Sequence, residues 1–149
     1  MRNDGSFLQN KLQGALKEHC KTFPCYWFRF YDSKSARGFL PAQPGDFLWL
    51  LPGQAVLIEC KSSTREKTTL VSLAHHGPVG KCQLAKHKLW HRAGHPSIYL
   101  YYNIPEDRLA WHNGKDVIAK DKTTIFQGTL KALPESLRYL HDHYFGTVR

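Results

Sequence analysis

Three residues near the middle of the chain have the types and the spacing to hold a metal ion beside a phosphate. Asp46 begins one short apolar run, and Glu59 and Lys61 end the next one. Because side chains alternate along a strand, Glu59 and Lys61 project from one face while Ile58 and Cys60 face the other way. Burying a carboxylate and an ammonium group is costly unless they are paired or bound to a ligand. The pattern predicts a charged site at the end of a buried strand.

The two carboxylates offer the oxygen ligands that a hard divalent cation prefers. We expect Asp46 and Glu59 to bind Mg2+, with Mn2+ able to replace it. The backbone carbonyl of Cys60, which lies between the side chains of Glu59 and Lys61, is a natural further ligand. A bound metal ion lowers the pKa of a water molecule and offsets charge that develops on a scissile phosphate. Lys61 would orient the attacking water or stabilise the phosphate electrostatically. An ordinary ion pair between Glu59 and Lys61 is the simpler alternative.

The two apolar runs form a predicted hairpin. They cover residues 46–51 and 55–61 and are separated by Pro52-Gly53-Gln54, which is a turn signal. Both runs are apolar on both faces, which is typical of central strands that are covered on each side. The hairpin is therefore expected in the middle of a sheet.

The length of the hairpin loop decides whether Asp46 joins the site. Directly opposed residues of an antiparallel pair share a face. A two-residue loop, or a four-residue loop that pairs Leu51 with Val56, places Asp46 on the face of Glu59. A three-residue loop would place it opposite Cys60, on the wrong face unless a bulge intervenes.

The periodicity of the remaining sequence predicts a single α/β domain over residues 1–149. An amphipathic helix with Ser6 as its N-cap opens the chain, and a later helix ends at Gly94. The predicted elements are, in order, a helix at 6–19, strands at 25–31, 46–51 and 55–61, an irregular basic stretch at 62–80, a helix at 81–93, a strand at 97–103, a weaker strand at 108–112 and a helix at 134–145.

The composition favours a partner that is a polyanion. The net charge is +9, from 21 basic and 12 acidic residues, and such an excess attracts nucleic acid. No run approaches the roughly 20 apolar residues that cross a bilayer, and the first residues lack the layout of a secretory signal. We therefore expect a soluble, intracellular protein without a membrane partner. The charge alone also fits a non-catalytic nucleic-acid-binding protein.

The sequence Pro44-Gly45-Asp46, followed after twelve residues by Glu59-Cys60-Lys61, resembles the signature of the PD-(D/E)XK nuclease superfamily. The resemblance extends to the order of elements, from the opening helix to the strand at 97–103. It implies a restriction-endonuclease-like αβββαβ core, an α/β fold in which helices flank a central mixed sheet. It also implies a metal-dependent endodeoxyribonuclease, with the two acidic residues and the lysine of the motif as catalytic residues.

Two glutamines occupy places that matter in parts of this superfamily. Gln83 lies in the helix after the motif, where several branches carry a glutamine facing the active site, so we expect it to be catalytic. Branches that include the Holliday junction resolvases often carry a metal-binding glutamate on the first helix. The nearest position here holds Gln9, which would bind through its carbonyl oxygen or a water, or would simply lie on the surface.

Small size, basic charge and the lack of an added DNA-reading domain resemble the phage and bacterial Holliday junction resolvases. Such enzymes of DNA recombination and repair are usually dimers, because two symmetric nicks require two active sites. The resemblance implies a branched DNA substrate, a homodimer and a cytoplasmic protein that could be phage-encoded. Nucleases of the VRR type, and restriction or repair nucleases acting on other DNA, are open alternatives.

Basic residues outside the motif are candidate contacts to DNA phosphates. Lys34 and Arg37 lie in a polar segment that is predicted to be a loop. Arg65, Lys67 and Lys81 lie in or beside a stretch rich in serine and threonine, and hydroxyls combined with cations suit phosphate contact. A solvated surface loop is the alternative for this stretch.

Histidines and cysteines offer a different kind of metal site. His87 and His91 are four residues apart on a predicted helix and could share zinc, but the neighbouring glutamate of a zincin helix is missing. We expect these histidines on a solvated or DNA-facing surface. Cys20 and Cys25 do not form a CxxC pair, and an intracellular location favours buried thiols over a disulfide.

Overall fold

The structure, a computed structural model, describes residues 6–30 and 43–145. Both helices and strands occur along these ranges. In chain order the elements are α1 (Ser6–Thr22), β1 (Tyr26–Arg29), β2 (Phe47–Leu51), β3 (Gln54–Ser63), α2 (Leu70–Ala74), α3 (Gly77–Arg92), β4 (Ser97–Asn103), β5 (Arg108–Asn113), α4 (Gly114–Ile118), β6 (Phe126–Gly128), a 3-10 turn (Leu130–Ala132), α5 (Leu133–Tyr139) and a π-helical segment (Leu140–Tyr144).

The strands form one six-stranded sheet in the order β1-β2-β3-β4-β5-β6. β3 and β4 are parallel and are joined by a crossover that contains α2 and α3, whereas every other neighbouring pair is antiparallel. The predicted α/β class, with a mixed sheet flanked by helices, is confirmed. The order α1-β1-β2-β3-α3-β4 is consistent with a restriction-endonuclease-like core.

Helices cover both faces of the sheet. Leu8, Leu12 and Leu16 of α1 recur at helical spacing and pack with α5 against one face. On the other face, α2, α3 and α4 pack over Tyr99 and Tyr101 of β4. Each fully buried leucine contributes about 2 kcal/mol of transfer free energy, so both layers hold the central strands firmly. No helix within the described ranges has both the length and the apolar character needed to cross a bilayer.

A two-residue turn joins β2 to β3. Leu51 pairs with Gln54, so the alternative in which it pairs with Val56 is wrong. Pro52 fixes a negative φ and Gly53 has φ of 77°, the combination that a type II turn requires. Two-residue and four-residue loops have the same parity, so Asp46 lies on the face of Glu59, and the alternative of a three-residue loop is also wrong.

Several short elements differ from the prediction. The stretch 62–80 contains α2 and the start of α3 instead of being irregular throughout, and α4 and β6 have no counterpart in the predicted list. The closing helix is α-helical only as far as Tyr139 and continues as a π-helical segment. α2, α4 and β6 have five, five and three residues, which is too short for periodicity to identify.

Cys20 and Cys25 form a disulfide that joins the end of α1 to the residue before β1. The expectation of reduced, buried thiols at these positions is wrong. That expectation came from the redox compartment and took no account of geometry. The chain reverses between the two cysteines and brings their Cα atoms to 5.3 Å, a separation that a disulfide spans. Cys82, one of the two free cysteines, is exposed.

Candidate active site

The candidate site begins where β2 begins and its pairing with β3 ends. Phe47 and Ile58 form the last pair of this ladder, and the preceding residue, Asp46, is bonded to β3 in two ways. Its backbone N–H donates to the carbonyl oxygen of Ile58 at 2.9 Å, and its Oδ2 accepts a hydrogen bond from the Cys60 N–H at 2.7 Å. The Asp46 carboxylate therefore accepts the hydrogen bond that the backbone of a longer β2 strand would accept, and it is fixed against β3.

Gly45 allows the chain to approach β3 closely just before Asp46. A Cβ atom on residue 45 would lie 2.9 Å from Leu57 Cδ1 and 3.2 Å from the carbonyl oxygen of Ile58. These distances are shorter than ordinary contacts, so a side chain here would displace Leu57 or the turn. The Pro-Gly-Asp sequence thus has a physical reason, since it brings one acidic residue against the strand that carries the other.

An open cleft of about 320 Å³ gathers the residues that the motif singled out. Glu59 and Lys61 enter it from β3, Asp46 from the residue before β2, and Gln83 from α3. Gln9 reaches it from α1, which packs on the opposite face of the sheet. The lining residues are Leu8, Gln9, Asp46, Glu59, Cys60, Lys61, Ser62 and Gln83. The two carboxylates and the ammonium group thus share one cleft.

Glu59 is 2% exposed, and a negative charge on its buried carboxylate is unfavourable without a cation nearby. Burial, and then repulsion from the Asp46 carboxylate, raise the pKa of Glu59 well above its ordinary value, while Lys61, Lys86 and a hydrogen bond from the Asp46 backbone act in the opposite direction. No atom of the described residues hydrogen-bonds to Glu59 Oε2. A cation between the two carboxylates would satisfy that oxygen and remove the repulsion.

Lys61 is held by a neutral partner. Its Nζ donates to Gln83 Oε1 at 2.6 Å, and none of the ion pairs in residues 6–30 and 43–145 joins Lys61 to Glu59. The simple strand-end ion pair is therefore not what forms. The amide oxygen of Gln83 fixes the ammonium group in the cleft that holds the two carboxylates.

The chemistry of the donor set fits Mg2+. Asp46 and Glu59 supply carboxylate oxygens. The N–H and C=O groups of one strand residue point toward the same neighbouring strand. The Cys60 carbonyl therefore points to the same side as the Cys60 N–H, which donates to Asp46. Burial raises the pKa of the Cys60 thiol, so the carbonyl is the better ligand. No group of three His, Cys, Asp or Glu residues forms a metal cluster in the described part of the chain. Mg2+ typically uses one or two carboxylates and keeps several waters.

Gln9 hydrogen-bonds to the site and to β1 at once. Its Nε2 donates to Asp46 Oδ1 at 3.4 Å, and its Oε1 accepts from Arg29 Nη2 at 3.0 Å. The alternative that Gln9 is only a surface residue is therefore wrong. Arg29 was not among the residues predicted from the sequence. Its position as a charged residue in an aromatic strand that follows the opening helix could have indicated a polar contact with that helix.

Lys86 is a second residue that sequence reasoning missed. Its Nζ donates to the carbonyl oxygen of Gln43 at 2.8 Å, and its charge helps to lower the pKa of Glu59. Lys86 therefore holds the segment before the Pro-Gly-Asp turn and adds positive potential to the site. The available signal was its position three residues after Gln83, which places both on one side of α3.

Arg65, Lys67 and Lys81 have exposed side chains. The first two follow the end of β3, and Lys81 lies two residues before Gln83 in α3. Hydrogen bonds hold the carbonyl of Arg65 and the N–H of Lys67, so the backbone is anchored while the side chains reach solvent. The predicted DNA contacts Lys34 and Arg37 lie outside the described residues.

The histidines of α3 do not form the solvated surface that the sequence predicts. His87 is fully buried against Tyr99, with ring centroids 4.7 Å apart, and burial lowers the pKa of His87 to about 3. His91 is hydrogen-bonded to Ser97 Oγ at 2.7 Å. Among the described residues, neither histidine belongs to a group of three His, Cys, Asp or Glu residues that could hold a metal ion.

The chain matches no model of a known protein family, and no curated protein matches its sequence. The case for an activity is therefore the arrangement of Asp46, Glu59 and Lys61 around one cleft.

Proposed function

We propose that this protein is a Mg2+-dependent endodeoxyribonuclease that hydrolyses phosphodiester bonds. The observation that carries the proposal is the convergence of Asp46 and Glu59 beside Lys61 in one cleft. Two neighbouring carboxylates, one of them buried and with an unsatisfied oxygen, cost stability unless a cation binds between them. Such perturbed groups in a cleft are typical of functional sites.

Each residue of the cleft has a distinct part in this activity. Asp46, Glu59 and the carbonyl of Cys60 would hold Mg2+, which supplies Lewis-acid stabilisation and a water of lowered pKa when bound. Lys61 presents its ammonium group to the attacking water or to the negative charge that develops on the phosphate. Gln83 positions Lys61 through the 2.6 Å hydrogen bond to its Nζ.

DNA is the proposed substrate because the chain carries an excess of nine positive charges. Arg65, Lys67 and Lys81 would contact phosphates beside the cleft, and such contacts position a nucleic acid without reading its sequence. Branched DNA, in particular a four-way junction, is proposed from the resemblance to the resolvases. A homodimer would then supply the two active sites that paired nicks require.

The proposal includes a cytoplasmic enzyme of DNA recombination or repair, of bacterial or phage origin. The Cys20–Cys25 disulfide is uncommon in a reducing compartment. The thiol state of the protein isolated from cells with rapid alkylation therefore tests the location independently of the activity.

A cleavage assay with three DNA substrates in parallel tests the proposed function. The substrates are a four-way junction, a flap and a linear duplex, each incubated with Mg2+ and with a chelator. We expect paired symmetric nicks in the junction only, and none in the chelator. Comparable cutting of the linear duplex would instead indicate a restriction or repair nuclease.

Two site variants separate catalysis from binding. We expect Asp46→Asn and Glu59→Ala to abolish cleavage while junction binding stays within about twofold, because neither carboxylate is needed to attract DNA phosphates. Glu135→Ala is the matched control, since Glu135 is exposed on α5 and does not line the cleft. Undiminished cleavage by both site variants would rule out this active site. Junction binding without any cleavage by the wild type would indicate a non-catalytic binding protein.

A further inference from the structure

Arg29 of β1 hydrogen-bonds to Gln9 of α1, and Gln9 in turn hydrogen-bonds to the carboxylate of Asp46. We propose that Arg29 is a positioning residue that fixes the Gln9 amide as a hydrogen-bond donor to Asp46 and thereby keeps the Gln9 carbonyl oxygen away from the metal ion. The proposal rests on the proposed function, because it concerns the ligands of the same metal site. It assigns to Gln9 a part different from that of a first-helix metal ligand.

The orientation of the Gln9 amide follows from its two neighbours. A glutamine side chain has an accepting oxygen and a donating NH2 group, an arginine only donates, and an ionised carboxylate only accepts. Arg29 Nη2 lies 3.0 Å from Gln9 Oε1, and Asp46 Oδ1 lies 3.4 Å from Gln9 Nε2. Rotating the amide by half a turn would set donor against donor and acceptor against acceptor. Both neighbours therefore select the same orientation.

Arg29 is itself fixed on α1. Its Nη1 donates to Asn10 Oδ1 and to Gln13 Oε1, both at 2.8 Å, and its guanidinium lies 5.8 Å from the centre of the Phe47 ring. With Gln9, three amide oxygens of α1 share one guanidinium group. A planar fork with five donors can serve several acceptors at once, whereas the single ammonium of lysine cannot hold them in the same geometry.

The metal ion would then take its ligands from the chain only at Asp46, Glu59 and the Cys60 carbonyl. Asp46 Oδ2 accepts from the Cys60 N–H while Oδ1 accepts from Gln9, and a carboxylate oxygen carries more than one lone pair. Gln9 stays outside the coordination sphere and helps to set the rotamer of Asp46. This places the control of Asp46 on β1 and α1, on the opposite side of the sheet from Gln83.

A double-mutant cycle in Mn2+ affinity, measured by electron paramagnetic resonance without DNA, tests the proposal. The four proteins are the wild type, Gln9→Ala, Arg29→Lys and the double variant. Arg29→Lys keeps the positive charge and removes the fork, so it controls for electrostatics. Lys17→Met, at an exposed position of α1, is the control for a substitution on this helix, and melting temperatures verify that each variant is folded.

We expect Gln9→Ala alone to weaken Mn2+ binding less than it does in the Arg29→Lys background, because in the native background it removes only a hydrogen bond to Asp46 and no ligand. In the Arg29→Lys background the amide is released and can turn its oxygen to the ion, so the same substitution should weaken binding by about fivefold or more. With DNA, Gln9→Ala should lower kcat more than it changes KM, since Asp46 loses part of its support.

Two results would overturn the proposal while leaving the proposed function intact. A larger weakening by Gln9→Ala in the native background than in the Arg29→Lys background would make Gln9 a ligand that Arg29 does not restrain, and equal effects in both backgrounds would show that Arg29 does not control the Gln9 amide. If Arg29→Lys does not fold, Asn10→Ala with Gln13→Ala replaces it, since these substitutions remove two anchors of the guanidinium. A wild type that binds no Mn2+ at any accessible concentration would overturn both proposals.

Discussion

Replacing Glu59 by glutamine should stabilise the metal-free protein. Glu59 is 2% exposed, its Oε2 has no hydrogen-bond partner among the described residues, and the nearby Asp46 carboxylate repels it. Glutamine has nearly the same shape, carries no charge and can donate from its NH2 group toward Asp46. A buried unsatisfied acceptor costs about 1–3 kcal/mol. We therefore expect Glu59→Gln to increase the free energy of unfolding. Each kcal/mol gained should raise the melting temperature by roughly 2–4 °C.

When Mg2+ is added, the wild type should become more stable than Glu59→Gln, which is the reverse of the order expected without metal. A ligand at about 100 times its dissociation constant stabilises the folded state by about 2.7 kcal/mol, which corresponds to roughly 5–10 °C for a chain of this size. Wild-type protein should show this increase when Mg2+ is added, because the proposed site would bind the ion with both carboxylates. Glu59→Gln should show little or none, since it has lost one of the two.

Thermal unfolding followed by circular dichroism, with Mg2+ and with a chelator, measures both effects. Glu66→Gln is the matched control, because Glu66 is exposed in the turn after β3 and its substitution should change neither temperature. A lower melting temperature for metal-free Glu59→Gln would refute the reasoning about burial. An equal response to Mg2+ in wild type and variant would refute the assignment of Glu59 as a ligand.

Two further predictions concern Gly45 and the buried histidines. Gly45→Ala places a Cβ atom 2.9 Å from Leu57 Cδ1 and should therefore displace Asp46. We expect kcat to fall by about 100-fold while the protein stays folded. Gly14→Ala is the control, because its new methyl group meets nothing within 4 Å, and it should leave activity unchanged. His19 is hydrogen-bonded to His141 at 3.0 Å, and burial lowers its pKa from 6.5 to about 4. Since the unfolded chain binds the proton more tightly over that range, stability should fall as pH falls below 6.5, by roughly 2 kcal/mol from His19 between pH 7 and pH 5. Urea unfolding at the two pH values should show this loss in the wild type and a smaller one in His19→Gln; equal losses in both would contradict it.

Local sequence rules were enough to predict that Glu59 and Lys61 share a face, and they made the placement of Asp46 depend on the length of one turn. Alternation along β3 places Glu59 and Lys61 on one face, and the parity of the Pro52-Gly53 turn brings Asp46 to the same face. These relations depend only on strand geometry and on loops of a few residues. For the same reason the long periodic elements, such as α1 and β4, were predicted close to their observed bounds.

Contacts between distant segments were decided by tertiary structure alone. The hydrogen bonds of Arg29 to α1, of Lys86 to the carbonyl of Gln43 and of Lys61 to Gln83 join residues 16 to 43 positions apart. No periodicity relates such positions, because their separation depends on how the layers pack. The burial of His87 is a further case, since helical spacing does not say which face of α3 meets the sheet.

The sequence by itself therefore determined that Glu59 and Lys61 would share one face at the end of a strand, because backbone alternation is a local property. The observed two-residue turn between β2 and β3 then decided that Asp46 joins them. The packing of α1 and α3 on opposite faces of the sheet decided how these residues are held. It set Gln83 against Lys61 and Arg29 against Gln9, and it left Glu59 buried opposite Asp46. The charge repulsion and the unsatisfied oxygen that favour a bound cation arise from that packing, because a carboxylate loses its water only when the layers close over it.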